Sequence, residues 1–122
     1  MTVVLVLIGG AVGAPLRYLT DLLVQARYDS ILPWGTLTVN VVGSFVLGAV
    51  GAAVAVAGAP SWVMTLLGTG FCGALTTFST FGFETVRLVE EGSLLEAFVN
   101  VAASLVAGLV AVAAGWALLA VL

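Results

Sequence analysis

The sequence predicts an all-α membrane protein with four transmembrane helices, the third of them broken, in a single domain over residues 1–122. Three observations predict it. The chain is 62% hydrophobic and only 7% charged, where soluble domains carry about a quarter charged residues. Apolar runs long enough to span a bilayer recur over residues 3–24, 34–57, 62–88 and 95–122. Finally, the run GALTTFSTFGFET at 73–85 holds five hydroxyls, three phenylalanines and a carboxylate inside the third span. Hydrocarbon offers no water to satisfy polar groups, so this segment must face a protein interior or a pore.

The first span opens with MTVVLVLIGGAVGAP. It lacks the basic start of a secretory signal, and Pro15 follows the only small-residue cleavage site, so it is read as a helix. Positions four apart stack on one helix face, and here they form the ridge Gly9, Gly13, Arg17, Asp21. Pro15 removes a backbone donor and predicts a kink. Arg17 can snorkel or pair with Asp21, or serve in a vestibule. Because Arg before Asp is the poorer helical order, it can instead reach a helix end or an acidic group elsewhere.

The second span carries the ridge Thr36, Asn40, Ser44, Gly48, Ala52. A mid-span amide has several hydrogen-bonding valences, so Asn40 is read as a fixed donor to an anion or to a polar neighbour. Ser44 fits packing or a ligand equally.

In the third span, Gly68, Gly70 and Gly73 precede Thr76, Thr77, Ser79 and Thr80. Glycines weaken a helix and hydroxyls compete for its backbone, so an interruption is expected between about Gly73 and Thr77. A continuous, merely bent helix with back-bonded hydroxyls is the alternative. A break frees carbonyls that suit a cation and N–H groups that suit an anion. Phe78 and Phe81 can offer positive ring edges to an anion, although packing explains most transmembrane phenylalanines. Glu84 and Arg87 read as a surface ion pair, with a vestibule role for Glu84 as the alternative.

The fourth span has Asn100, Ser104 and Gly108 on one ridge. Gly9, Gly13, Gly48, Gly51 and Gly108 are expected to let helices approach closely. Tyr28 and Trp34 flank the first connection, with Trp62 and Trp116 at the opposite surface. The connections, near 25–33, 58–61 and 91–94, are too short for a soluble domain.

One cysteine and no histidine exclude an intrachain disulfide and soft-metal chemistry, leaving Cys72 as a packing residue. No basic patch invites nucleic acid. No nucleophile–base pair or cofactor loop points to an enzyme. A small dual-topology drug/proton antiporter is the competing function. It needs a titratable carboxylate deep in the membrane, and the first span has no acid before Asp21.

Three stretches together resemble the Fluc (CrcB) family of bacterial fluoride channels. They are GGAVGAPLRY at 9–18, GTLTVNVVGSF at 35–45 and GFCGALTTFSTF at 70–81. The resemblance implies an antiparallel dimer in the bacterial plasma membrane, with two fluoride pathways and a central sodium ion. The sodium ligands would be the backbone carbonyls of Gly73 and Thr76. Asn40, Phe78 and Phe81 would line the pathway, with hydroxyls from Ser79, Thr80 and Ser104. Family members often carry tyrosine where this chain has Asn100 and sometimes serine at Gly108, so the fourth span departs from the pattern there. The implied function is passive exit of fluoride from the cytoplasm. Fluoride is strongly hydrated and needs replacement donors in the membrane, each weak enough to release it. All three arginines, Arg17, Arg27 and Arg87, belong to one membrane side, which predicts cytoplasmic first and third connections. An antiparallel dimer then needs either dual insertion of this chain in the lipid or an oppositely oriented homologue as partner.

Overall fold

The computed structural model describes residues 1–27 and 32–122. Tyr28 and much of the first connection lie outside the described residues. Helices α1 (Thr2–Arg27) and α2 (Trp34–Ala55) form the first two spans. The third span, Ser61–Glu90, is split in two. Its first half-helix runs through α3 (Ser61–Val63), a π-helix (Met64–Cys72) and α4 (Gly73–Leu75). Its second half is α5 (Ser79–Glu90), and α6 (Leu94–Ala120) is the fourth span. All four spans are long and apolar enough to cross a bilayer, and their limits lie within a few residues of the hydropathy runs. This is a multi-pass membrane protein.

Alternate spans run in the same direction and meet at glycines. A Cβ on Gly9 would strike the Leu66 carbonyl oxygen and one on Gly13 that of Phe71, so α1 lies backbone against backbone on the π-helix. Gly48 meets the Val112 carbonyl and Gly115 that of Phe45, which joins α2 to α6 in the same way. Lipid supplies no hydrophobic drive for helix pairing, so such contact rests on van der Waals packing that only a missing side chain permits. The expectation of close approach holds at Gly9, Gly13 and Gly48. At Gly51 the neighbour is the Trp116 ring, 3.3 Å from where a Cβ would stand. It does not hold at Gly108, where the nearest atom, Ser44 Oγ, would be 3.8 Å from a Cβ. Gly108 opens a cavity rather than an interface.

The sequence gives no sign of the π-helix. Its wide i→i+5 turns occupy the segment that contains Gly68 and Gly70 and end where the Gly73 N–H reaches the Gly68 and Gly70 carbonyls. Glycine tolerates such unwinding, and π-turns collect beside functional sites. α1 runs through Pro15 without interruption. The α5–α6 corner is closed by Gly92 at φ +81°, with Ser93 N–H on the Leu88 carbonyl and Gly92 N–H on that of Val89. That bond pair is a Schellman stop, and the left-handed residue within it favours glycine.

Candidate functional site

The break falls at residues 76–78, at the late end of the expected interval. Thr76 turns extended (φ −81°, ψ 160°) and ends the first half-helix. A continuous helix would give the Thr77 N–H to the Gly73 carbonyl and the Thr80 N–H to that of Thr76. Here the Thr77 N–H goes to Asn40 Oδ1 at 2.8 Å, and Asn40 Nδ2 donates to the Thr77 carbonyl at 3.0 Å. The amide of α2 therefore holds the broken backbone at both its donor and its acceptor. The Thr80 N–H goes to Thr77 Oγ1 at 3.1 Å, so Thr77 caps α5 with its side chain. Thr76 bonds back to the Cys72 carbonyl at 2.8 Å, closing the end of the first half.

Arg17 reaches across from α1 and donates from Nη1 to the Thr76 carbonyl at 3.3 Å. Of its sequence readings, the helix-end contact is the one formed. A cation there answers the partial negative charge at the C-terminal end of the first half-helix. Asp21 accepts from Gln25 and packs over Gly35 at the start of α2. Arg87 pairs with Glu91 at 3.6 Å, correcting the expected Glu84–Arg87 pair. The i,i+4 partner keeps both charged ends near water, whereas Glu84 approaches Thr36 and Asp21. Glu84 Oε1 is enclosed without a hydrogen-bond partner among the described residues.

Two cavities flank the break. The larger, about 360 Å³, is bounded by Asn40, Gly43 and Ser44 of α2 and by Gly68, Cys72 and Gly73 of the first half-helix. Thr76, Thr77, Phe78 and Phe81 continue the wall, with Ser104, Leu105 and Gly108 of α6 opposite. The Phe78 and Phe81 rings stand 5.9 Å apart, tilted by 50°, and Phe78 is 83% exposed on this face. The second cavity, 250 Å³, lies between α1, α2 and the break, with Arg17, Asp21, Thr36, Thr77 and Thr80 on its walls.

Of the expected site residues, the structure brings Asn40, Gly73, Thr76, Phe78, Phe81 and Ser104 to one cavity. Arg17 and Thr80 belong to the other. Ser79 sits between them at the start of α5, its hydroxyl 3.3 Å from Thr77 Oγ1. Asn100 lines neither of these two; it is 95% buried and bonded to Thr85. Sequence reading missed Thr77 as a site residue; it lines both cavities, and its hydroxyl organises the turn. The signal was available in its place three residues ahead of Thr80, the spacing of a helix cap.

Residues 4–116 match the family of CrcB-like proteins (Camphor Resistance, CrcB). The chain belongs to this family. Among its curated CrcB relatives is a protein of Frankia casuarinae named fluoride-specific ion channel FluC 1, 52% identical over 97% of this chain and 95% of that one. A protein of the same name from Nocardia farcinica is 57% identical over 92% of this chain and 76% of its own length. A more distant relative from Methanocaldococcus jannaschii, fluoride-specific ion channel FluC, is 46% identical over 86% and 83%.

Proposed function

We propose that this protein is a passive, fluoride-selective channel that lets the ion leave the cytoplasm. The observation that carries the reading is the broken third span clamped by Asn40. The clamp sets a neutral amide, two phenylalanine rings and the Ser104 hydroxyl around one intramembrane cavity. The Asn40 Nδ2 group has two hydrogens and spends one on Thr77, so a donor remains for an ion. Tilted rings can turn positive edges toward an anion without binding it tightly. The cavity of Arg17 and Thr80 lies on the other side of the same turn and serves as a polar approach, with the Ser79 hydroxyl between the two cavities and Glu84 in a vestibule role. Nothing in such a path requires a proton carrier, which separates it from an antiporter, and no enzymatic step is involved. The test is efflux of fluoride and of chloride from liposomes holding the purified protein. Fluoride flux down its gradient, without ATP or proton exchange, is expected; equal chloride flux or obligatory proton exchange refutes the reading.

The carbonyls of Gly73 and Thr76 suit a sodium ion. Both have lost their helical N–H partners to Asn40 and Thr77; the Thr76 carbonyl keeps a second lone pair beside the one that Arg17 meets, and carbonyl oxygens are hard ligands. Two oxygens do not complete the shell of such a cation, and both residues line the open cavity face. A second copy of this chain, inserted antiparallel, would supply the remainder and cover the exposed Phe78. The ion would pin the two breaks together. Thallium replacement followed by anomalous diffraction tests this: density between the paired breaks is expected, and its absence refutes the site.

A further inference from the structure

Asn100 is a polar residue inside an apolar span, and it does not line the cavity of Asn40 and Phe81. It is buried to 95% and donates from Nδ2 to Thr85 Oγ1 at 2.8 Å. Thr85 in turn donates to the Phe81 carbonyl at 2.8 Å. A hydroxyl has one hydrogen, and Thr85 spends it on Phe81, so its lone pairs are what Asn100 meets. The directions of both bonds are thereby fixed, and the relay runs one way, from α6 through Thr85 to the backbone of Phe81. Among the described residues it is the one side-chain hydrogen bond between α5 and α6. α5 needs such a tie, because Leu88 alone of its twelve residues is buried. On α6, Ser104 stands one turn beyond Asn100 on the same face and borders the cavity opposite Phe81.

We infer that Asn100 and Thr85 are positioning residues that fix Phe81 relative to Ser104 and so set the width of the ion path; this rests on the channel reading above. The polar group of α6 at this position acts through the backbone of its neighbour, without touching the ion. Removing Thr85 strands the buried Asn100 amide, and removing either partner cuts the tie that keeps α5 from rotating about the break. Thr85→Val keeps shape and removes both bonds, whereas Thr85→Ser keeps the hydroxyl. Asn100→Leu removes the donor from the other side.

The experiment places 4-fluorophenylalanine at position 81 of the full-length protein. Its ¹⁹F resonance is recorded in detergent, alongside fluoride and chloride efflux from liposomes. Thr38→Val is the control, because Thr38 makes the same kind of back-bond, to the Trp34 carbonyl, away from both cavities. The resonance is expected to move or broaden in Thr85→Val and Asn100→Leu, and to return in Thr85→Ser. Fluoride flux should fall about tenfold, the scale of one lost buried hydrogen bond, together with fluoride-over-chloride selectivity. Thr38→Val should change neither. A resonance unmoved by both variants overturns the tether, whatever the flux. A moved resonance with wild-type flux and selectivity overturns the claim on path width. A parent protein that passes no fluoride overturns the channel reading itself, and the resonance then reports a purely structural tie.

Discussion

Replacing Asn40 by aspartate separates its two roles, holding the break and facing the ion. The carboxylate can still accept the Thr77 N–H, now at 2.8 Å, but it cannot donate to the Thr77 carbonyl 3.0 Å away. Stranding that carbonyl costs about 1–3 kcal/mol. Asn40→Ala strands both backbone groups, so as a clamp alanine is the worse substitution. The order for the ion is reversed. A carboxylate about 4 Å from fluoride repels it by about 4 kcal/mol at an effective dielectric of 20, nearly a thousandfold in occupancy. Asn40→Asp should therefore melt above Asn40→Ala in detergent yet conduct less fluoride at neutral pH. Acid should reverse the defect. A protonated carboxyl donates to the Thr77 carbonyl, accepts from the Thr77 N–H and carries no charge, which reproduces the amide. Flux through Asn40→Asp should rise as pH falls through the carboxyl's own titration, within the range where fluoride stays ionised, while the parent stays flat. Liposome efflux at matched protein content measures it. Flux that simply follows thermal stability, with alanine below aspartate at every pH, would refute a direct role for Asn40 with the ion.

Other outcomes follow from the same geometry. Gly9→Ala and Gly48→Ala push a methyl into the Leu66 and Val112 carbonyls, so each should cost about 1–3 kcal/mol or more and lower the yield of folded protein on gel filtration, while Gly82→Ala, with open space around it, should not. Phe78→Ile and Phe81→Ile keep bulk but lose the ring edges; they should assemble normally and lose most fluoride flux, and full flux in both would make the rings packing residues. A cysteine placed in the 58–61 connection should label from both membrane faces when this chain is expressed alone. Labelling from one face only would require an oppositely oriented partner.

Much of the fold was legible because membrane spans are written in composition. Hydropathy located every span to within a few residues, and the position of the break followed from glycines placed just ahead of hydroxyls. The π-helix was not legible, since i→i+5 winding leaves no periodic mark over nine residues and depends on how closely α1 settles on Gly70. In the site, Asn40 was identifiable as a mid-span amide, but its bond to Thr77, 37 residues away, is a tertiary fact. Arg17 offered several partners to sequence reasoning; only packing of α1 against the first half-helix selects the Thr76 carbonyl. Glu84 and Arg87 were misjudged as a pair because i,i+3 and i,i+4 partners compete on a helix, and Glu91 won at the wetter end. Asn100 shares a ridge with Ser104, and that ridge alone gave it no defined role. The rotation of α5 that brings Thr85 to it is invisible without coordinates.

The two halves of the broken span are treated unequally, and the inequality favours an anion. A break exposes a negative helix end and a positive one close together, and in hydrocarbon both are costly. The negative end, at Thr76, is met by a full positive charge from Arg17. The positive end, at the start of α5, is met by the neutral Thr77 hydroxyl, which accepts the Thr80 N–H but brings no negative charge. Had an aspartate stood at 77, a common helix cap, the cap would have been as good and the field opposite. The only acid on α5 near this end, Glu84, lies a turn beyond Thr80. At the turn itself, therefore, the charged contact is the guanidinium, and the N–H groups of Thr77 and Thr80 meet neutral acceptors, while the cavity of Asn40, Phe78, Phe81 and Ser104 is lined without a charged side chain. A path of that kind attracts a small anion without a fixed charge against which it would lodge, which conduction requires. Thr77→Asp inverts the balance while keeping the cap, and it should abolish fluoride flux in a protein that still folds; undiminished flux would show that the dipoles of α5 do not govern entry.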